Sequence, residues 1–360
     1  MISRFSYTLA AFFILFTENG YAQRLFVPAA DKHIVYEGRI AFKGDAAELM
    51  WSGSSVSVNF TGSGISAQIK EADTANYYNV IIDNDSIYKI RFDTTKRTYK
   101  LAANLLQGKH TVKLFKRTEW VKGKTSFYGF ELEAKTKLLK PSKPPKRKIE
   151  FYGNSITCGF AVEDSVKDTN LGYYENNYVA YPAITARHFN AQYHCIAKSG
   201  IGIMISWAHQ IMPEMYDLLD PTDSLSKWDF AKYRPNVVVI NLLQNDSYLI
   251  TKPDNPQFKY RFGLQPPDED HIISSYANFV KSIRTKYSKA YIICMLGSMD
   301  VTKKGSAWPG YVKKAVASLQ DKRILTYFAP FKATPGHPKV GEQQELAQGL
   351  MKFIEQHIVW

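Results

Sequence analysis

Residues 149–159 read IEFYGNSITCG. An apolar run containing Ile149 and Phe151 meets Gly153-Asn154-Ser155 and then breaks into Ile156-Thr157-Cys158-Gly159. The pattern predicts a strand that ends in a small-residue turn, with a short helix starting behind it. A hydroxyl placed there stands at the carboxyl end of a strand, the usual position of a site in an α/β sheet. The free N–H groups of the following helix favour developing negative charge. Gly-x-Ser turns without chemistry are common, so this segment by itself makes Ser155 no more than a candidate nucleophile.

Three further segments lie around it. Residues 236–246, NVVVINLLQND, form a continuous β-branched run of the kind a buried parallel strand needs, ending in Asn245-Asp246. Residues 334–338, TPGHP, put His337 in a Pro/Gly loop just before a helical pattern. Residues 197–202, AKSGIG, put Gly200 in a loop after the apolar stretch at 193–197. Each has a plain reading. Asn245-Asp246 can be turn chemistry, Gly200 a turn glycine, and His337 a loop histidine like His194, His209, His271 or His357. Four such segments in the order Ser, Gly, Asn, His, each at a strand end or in a loop, are harder to explain structurally.

Together they resemble the four blocks of the SGNH, or GDSL-like, hydrolases. The flanking residues are closest to carbohydrate esterase family 2, the acetylxylan esterases. GNSITCG stands where that family has GDSITCG, SGIG matches its second block, INLLQND stands for INLGTND, and GHP matches its last block. The resemblance implies that Ser155 attacks an ester carbonyl with His337 as its base, because a free serine hardly ionises near neutral pH. It implies an oxyanion site formed by the Ser155 N–H, the Gly200 N–H and the Asn245 side-chain amide. A missing Cβ at Gly200 lets backbone approach substrate, and the Asn245 NH₂ donates without carrying charge. Trp207 and Trp308, both expected in loops, are candidate sugar-stacking surfaces, although ordinary packing explains either one more simply.

Three positions depart from the family. Asn154 replaces the usual Asp before the serine, and Leu243-Gln244 replaces Gly-Thr. The family-wide pattern has Asp three residues before the histidine, where this chain has Thr334. Thr cannot supply a carboxylate to an imidazolium. The expectation is a Ser–His dyad in which a main-chain carbonyl orients His337; the alternative is a distant carboxylate such as Asp300, with Asp246 next to be tested.

The expected fold is α/β: a three-layer SGNH-type domain with a parallel sheet over 149–360, preceded by a β-sandwich, or jelly roll, over 23–134. Segments 56–60, 65–70, 77–83, 88–92, 97–102, 110–117 and 126–133 are β-rich, partly alternating and separated by Gly, Asn, Asp and Lys-Gly turns. After residue 149, strands at 149–154, 193–199, 236–243 and 290–296 alternate with helices at 179–189, 271–287, 308–320 and 342–357. Between the two patterns, 135–148 (KTKLLKPSKPPKRK) predicts a basic, solvated, Pro-rich linker rather than a nucleic-acid patch, since it carries no interleaved aromatics. It holds much of the excess behind a formal charge of +13.

Residues 1–22 predict a secretory signal peptide: a short basic start, the apolar core TLAAFFILF at 8–16, too short to span a bilayer, and a small residue, Ala22, for cleavage. This places the mature protein outside the cytoplasm, secreted or periplasmic, with no membrane partner after cleavage and no nucleic-acid partner. A hydrophobic content of 45% and a charged content of 22% suit a soluble globular chain. Three cysteines are too few for a disulfide scaffold. Buried thiols are expected, with a Cys158–Cys195 bridge left open. No spacing argues for a metal, a nucleotide or another cofactor. The expected function is removal of acetyl groups from xylan, mannan or related oligosaccharides. The rivals are a carbohydrate-binding protein without catalysis and a lipase- or thioesterase-like hydrolase with a broad acyl pocket.

Overall fold

The structure, a computed structural model, describes residues 25–133 and 136–360; the expected leader lies outside them. Twelve strands come first: β1 (Leu25–Pro28), β2 (Ile34–Glu37), β3 (Ile40–Lys43), β4 (Ala46–Leu49), β5 (Ser55–Thr61), β6 (Ile65–Glu71), β7 (Tyr78–Ile82), β8 (Ser86–Ile90), β9 (Arg97–Ala102), β10 (Lys109–Lys116), β11 (Thr125–Leu132) and β12 (Lys137–Leu138). They form two antiparallel sheets. One runs β3-β4-β11-β6-β9 with β1 added to β11; the other runs β12-β5-β10-β7-β8 with β2 added to β5. Alternation explains the pairing: in β5 and β6 every second residue points inward, and Val56, Val58, Phe60, Ile65, Ala67 and Ile69 meet between the sheets.

The basic stretch is more ordered than a solvated linker. Its β12 extends the second sheet by pairing with β5. The Asn59 amide then donates to the Lys140 carbonyl at 3.1 Å and the Ser142 hydroxyl at 3.2 Å. Lys137, Lys140, Lys143 and Lys146 stay exposed. Backbone pairing thus fixes the path while the charge remains in water.

The second half is a five-stranded parallel sheet, β13 (Arg147–Gly153), β14 (Ala191–Ala197), β15 (Val237–Asn241), β16 (Tyr291–Leu296) and β17 (Ile324–Phe328), in the order β14-β13-β15-β16-β17. Its central strand β15 is buried on both faces, which is why Val237–Ile240 can be apolar without alternation. Helices α2 (Tyr181–His188) and α8 (Val340–His357) cover one face through Ala183, Ala186, Leu346, Leu350 and Ile354. Helices α6 (Glu269–Lys286) and α7 (Trp308–Ser318) cover the other through Ile272, Phe279, Ile283 and Val312. Asp268 caps α6 by accepting from the His271 N–H at 2.8 Å. Proline in the first turn of α2 and α7 supplies the fixed φ and the missing N–H that a helix start tolerates. Short helices α1 (Ser155–Cys158), α3 (Met212–Met215), α4 (Gln244–Leu249) and α5 (Pro256–Phe262) complete the chain.

The two halves share their cores. Met50 and Trp51 belong to the same apolar cluster as Tyr152, Ile196 and Val238, and the Trp51 indole N–H donates to the Leu219 carbonyl at 2.9 Å. Arg39, from the turn between β2 and β3, is wholly buried. It donates to the carbonyls of Tyr216 at 2.7 Å and Leu218 at 2.8 Å and to the Tyr152 hydroxyl at 3.2 Å. Its guanidinium lies 3.5 Å from the carboxylate of Glu150 in β13, also wholly buried. Burial pushes that carboxyl upward, but the Arg39 charge, with His194, more than offsets it, and Glu150 is held below the usual carboxylate range. Removing one partner of a buried pair leaves an uncompensated charge, so Arg39→Met should lose about 3–5 kcal/mol of stability. A folded-state pKa below the unfolded one stabilises at neutral pH and ceases to do so as pH falls through it. The deficit of the variant, read from urea unfolding, should therefore be larger at pH 7 than at pH 4. Equal stability of variant and wild type at pH 7 would contradict this.

Candidate active site

The order of the sheet assembles the site. Residue Gly153 of β13 lies level with Ala197 of β14 on one side and Asn241 of β15 on the other. The segments leaving these three strand ends carry Ser155, Gly200 and Asn245. Ser155 opens α1 and is 8% exposed. Asn154 is the N-cap, its side-chain oxygen accepting from the Ile156 N–H at 3.0 Å, a role an aspartate could fill equally well. Gly153 is obligatory: a Cβ there would lie 1.9 Å from the Thr157 hydroxyl. Helix α8 pins the turn from below, because the Gln343 amide donates to the Ile156 carbonyl at 2.9 Å and accepts from the Tyr181 N–H at 2.8 Å.

His337 reaches Ser155 from the loop before α8. Its Nε2 is 2.8 Å from the Ser155 Oγ. Its Nδ1 is 2.6 Å from the Asp168 Oδ2, and its backbone N–H donates to the same oxygen at 2.7 Å. The second Asp168 oxygen accepts from the Lys339 ammonium at 2.7 Å. Burial tends to raise the Asp168 carboxyl, but hydrogen bonds from Lys339 and His337 outweigh it and hold it below its ordinary value. Upstream, Asp164 shapes the loop that presents Asp168. It accepts from the N–H groups of Val166 at 3.1 Å, Lys167 at 3.0 Å and Thr169 at 3.0 Å, an Asx-type turn.

This arrangement replaces the expected dyad. The acceptor on His337 Nδ1 is a carboxylate, not a main-chain carbonyl, and it comes from neither Asp300 nor Asp246. Thr334 is engaged elsewhere: its hydroxyl bonds to Glu342 and accepts from Lys332 at 2.9 Å. Asp246 is wholly buried and accepts from the N–H groups of Ile203 at 3.0 Å, Met204 at 2.7 Å and Ile205 at 3.2 Å, so it braces the loop after Gly200. Burial raises its carboxyl to about 6 despite those donors. Asp300 opens a 3-10 turn, Asp300–Thr302.

Of the two other candidate oxyanion donors, Gly200 sits in the loop after β14 and Asn245 in the first turn of α4. Gly200 has φ +78°, a left-handed conformation that glycine adopts without strain, and a Cβ there would press on Trp207 at 3.1 Å. One Asn245 amide hydrogen is committed to the Ile201 carbonyl at 2.8 Å, which orients the group and leaves its second hydrogen. Leu243, just before α4, also has a positive φ of 75°, explaining why glycine suits that position. A branched side chain there stores roughly 1–2 kcal/mol of backbone strain. Full burial of Leu243 in the core opposes that strain.

Of the two tryptophans, Trp207 is 55% exposed beside Gly200 and stacks on Tyr248 with ring centres 5.7 Å apart. Trp308 opens α7 instead of lying in a loop, and it packs half-buried against the core and edge-on to Tyr311 at 5.6 Å. Cys158, Cys195 and Cys294 are free and buried, so no Cys158–Cys195 bridge is formed. Among the described residues no group of three or more His, Cys, Asp or Glu could hold a metal ion, and no helix is long and apolar enough to cross a membrane.

Asp168 and Lys339 are the residues that sequence reasoning misses. The polar stretch EDSVKDTN at 163–170 carries no spacing that ties it to His337. The basic residue two positions after the histidine is the one local hint of a carboxylate to be paired.

Comparison with known proteins identifies the family of the chain. Residues 36–142 match the family model described as carbohydrate esterase 2 N-terminal. The chain is 33% identical over 340 residues to the cellulase/esterase CelE of Acetivibrio thermocellus, covering 91% of this chain and 40% of that longer protein. It is 25% identical over 345 residues to an acetylxylan esterase/glucomannan deacetylase of Cellvibrio japonicus, covering 93% and 91% of the two chains. It superposes with a TM-score of 0.80 on a family two carbohydrate esterase from Clostridium thermocellum solved in complex with cellohexaose, at 32% identity and covering 90% of this chain and 98% of that one. A sandwich matched by the family's own model, joined to a parallel-sheet domain that superposes along the full length of a family member, leaves one assignment: the chain belongs to carbohydrate esterase family 2.

Proposed function

We propose that this protein is a carbohydrate O-acetyl esterase working through Ser155, His337 and Asp168. The observation that carries the reading is the continuous hydrogen-bond path from the Ser155 Oγ through the imidazole to the Asp168 carboxylate, at 2.8 and 2.6 Å. In the reaction the Ser155 oxygen attacks the acetyl carbonyl while His337 Nε2 takes the hydroxyl proton. The charge that develops on the carbonyl oxygen is met by the Ser155 and Gly200 N–H groups and the Asn245 amide, each such donor being worth about 3 kcal/mol of barrier. His337 then returns the proton to the departing sugar oxygen. Water, activated by the same base, releases acetate and restores Ser155. Asp168 stabilises the imidazolium in both halves.

Acetylated xylan, glucomannan or their oligosaccharides are the substrates this reading favours, supported by the names of the relatives. Because the leader reads as a secretory signal and such polymers lie outside cells, the protein is proposed to act after export. Acetate release from acetylated xylan and glucomannan, lost in Ser155→Ala, tests the reaction; binding of glycan without any release would favour the non-catalytic alternative.

Trp207 is the better candidate for contact with sugar, since its ring is exposed next to Gly200 and propped by Tyr248. Trp207→Ala should raise KM for the acetylated polymer several-fold, as expected from losing an aromatic contact of about 1 kcal/mol. It should leave turnover of p-nitrophenyl acetate nearly unchanged. Parallel losses on both substrates would assign Trp207 to the loop's structure instead.

A further inference from the structure

Glu119 belongs to the sandwich, in the crossing between β10 and β11, yet its carboxylate lies against the loop after β14. Only 1% of the residue is exposed. Its Oε2 accepts from the Ser199 N–H at 2.7 Å and takes a weak contact from the Cys158 thiol in α1 at 3.9 Å. Its own N–H donates to Glu175, and the Lys116 ammonium donates to its carbonyl at 3.4 Å. The sandwich therefore sends a buried carboxyl group to the Ser199 N–H, one residue before Gly200.

Beyond Gly200 the loop is braced by Asp246, by the Asn245 amide on the Ile201 carbonyl at 2.8 Å and by the Trp207 N–H on the Gly200 carbonyl at 2.9 Å; on the side before Gly200, Glu119 holds the Ser199 N–H. Two backbone bonds on that side are long: Lys198 N–H to the Gly153 carbonyl at 3.4 Å and Ile201 N–H to the Lys198 carbonyl at 3.3 Å. Gly200 has no side chain to pack and a left-handed backbone, so its own preferences do not hold it. Burial, with Glu119 close by, pushes the neighbouring Glu175 carboxyl well above its usual value.

We propose that Glu119 is a positioning residue for the esterase reaction: by holding the Ser199 N–H it fixes the Lys198–Ser199 peptide, one residue before the Gly200 N–H that meets the oxyanion, and so limits where that N–H can point. The proposal rests on the esterase reading above. It makes the sandwich a contributor to the reaction rather than an attached module. A donor misplaced by about 1 Å can cost 10²-fold in rate.

The experiment compares Glu119→Asp, Glu119→Ala and Glu119→Gln in the full chain. Asp keeps the carboxyl group but falls short of Ser199 by one methylene, whereas the Gln amide oxygen can still accept the same N–H. With p-nitrophenyl acetate, Asp and Ala should lower kcat about 10- to 100-fold with KM within about twofold. Gln should stay within about threefold of wild type. Covalent labelling by an organophosphonate, which needs Ser155 and the oxyanion site but no acetylated sugar, should slow in the same order. Undiminished kcat in Glu119→Asp, an equal fall in Glu119→Gln, or loss of fold together with activity in both shortened variants would each overturn the positioning role. A wild-type protein that labels with the organophosphonate but releases no acetate would instead overturn the choice of substrate, leaving the labelling rates of the variants to decide the role of Glu119.

Discussion

Asp168→Asn should lower kcat on an acetyl ester by about 10⁴, the size associated with losing the acid of a full triad. The reason is the hydrogen on His337 Nδ1. With a carboxylate 2.6 Å away, that nitrogen must donate, which leaves Nε2 free to accept the Ser155 proton. An asparagine can present its NH₂ instead, favouring the tautomer in which Nε2 carries the hydrogen and cannot act as base. The substitution also strips the counter-charge from Lys339, whose ammonium would then sit near a forming imidazolium. Kinetics with p-nitrophenyl acetate, with circular dichroism to confirm the fold, decide the matter. A loss smaller than about tenfold would restore the dyad, with Asp168 serving only to shape its loop.

The second large effect is at the nucleophile. Ser155→Ala should reduce kcat by about 10⁶, as when one member of a cooperating catalytic set is removed. Among the described residues the Ser155 hydroxyl bonds to His337 and to no structural partner, so the fold should be unaffected. His337→Ala should fall by a similar factor, and the double variant should be hardly worse than either single one, because the two act as a unit. Near-normal acetate release by either single variant would remove these residues from the reaction.

Much of the fold and most of the site are legible in the chain itself, and the remainder is hidden for physical reasons. Strands such as Ser55–Thr61 and Ile65–Glu71 are long enough to show alternation, and Val237–Asn241 is buried enough to show none. The four-residue strands at 25–28, 34–37, 40–43 and 46–49 are too short for a period to register, and the two-residue β12 is disguised by the lysines and prolines around it. The last parallel strand, Ile324–Phe328, ends the sheet as a half-exposed edge and lacks the apolar run of its neighbours. Helix α4 offers less than two turns, so Asn245 reads as turn chemistry although it sits in a helix. The blocks around Ser155, Gly200, Asn245 and His337 are visible because each is local. The carboxylate is not, because Asp168 and His337 are 169 positions apart and meet only through tertiary packing. Expecting an acid in the histidine's own loop turns Thr334 into a gap, whereas the same loop is supplied with Lys339 to hold an acid arriving from elsewhere.

The buried Arg39–Glu150 contact bears on how such a chain can be divided. Because a cation from one half neutralises an anion in the other, and Trp51 packs into the core of its neighbour, neither half is electrically or sterically complete by itself. Scanning calorimetry of the intact chain should give one endotherm, its calorimetric and van't Hoff enthalpies equal. In recombination between relatives, crossovers placed in the basic stretch near residue 140 would part Arg39 from its own Glu150. Chimeras should therefore survive when both parents supply the same pair at these two positions, and fail when only one does, however well each half suits its own parent.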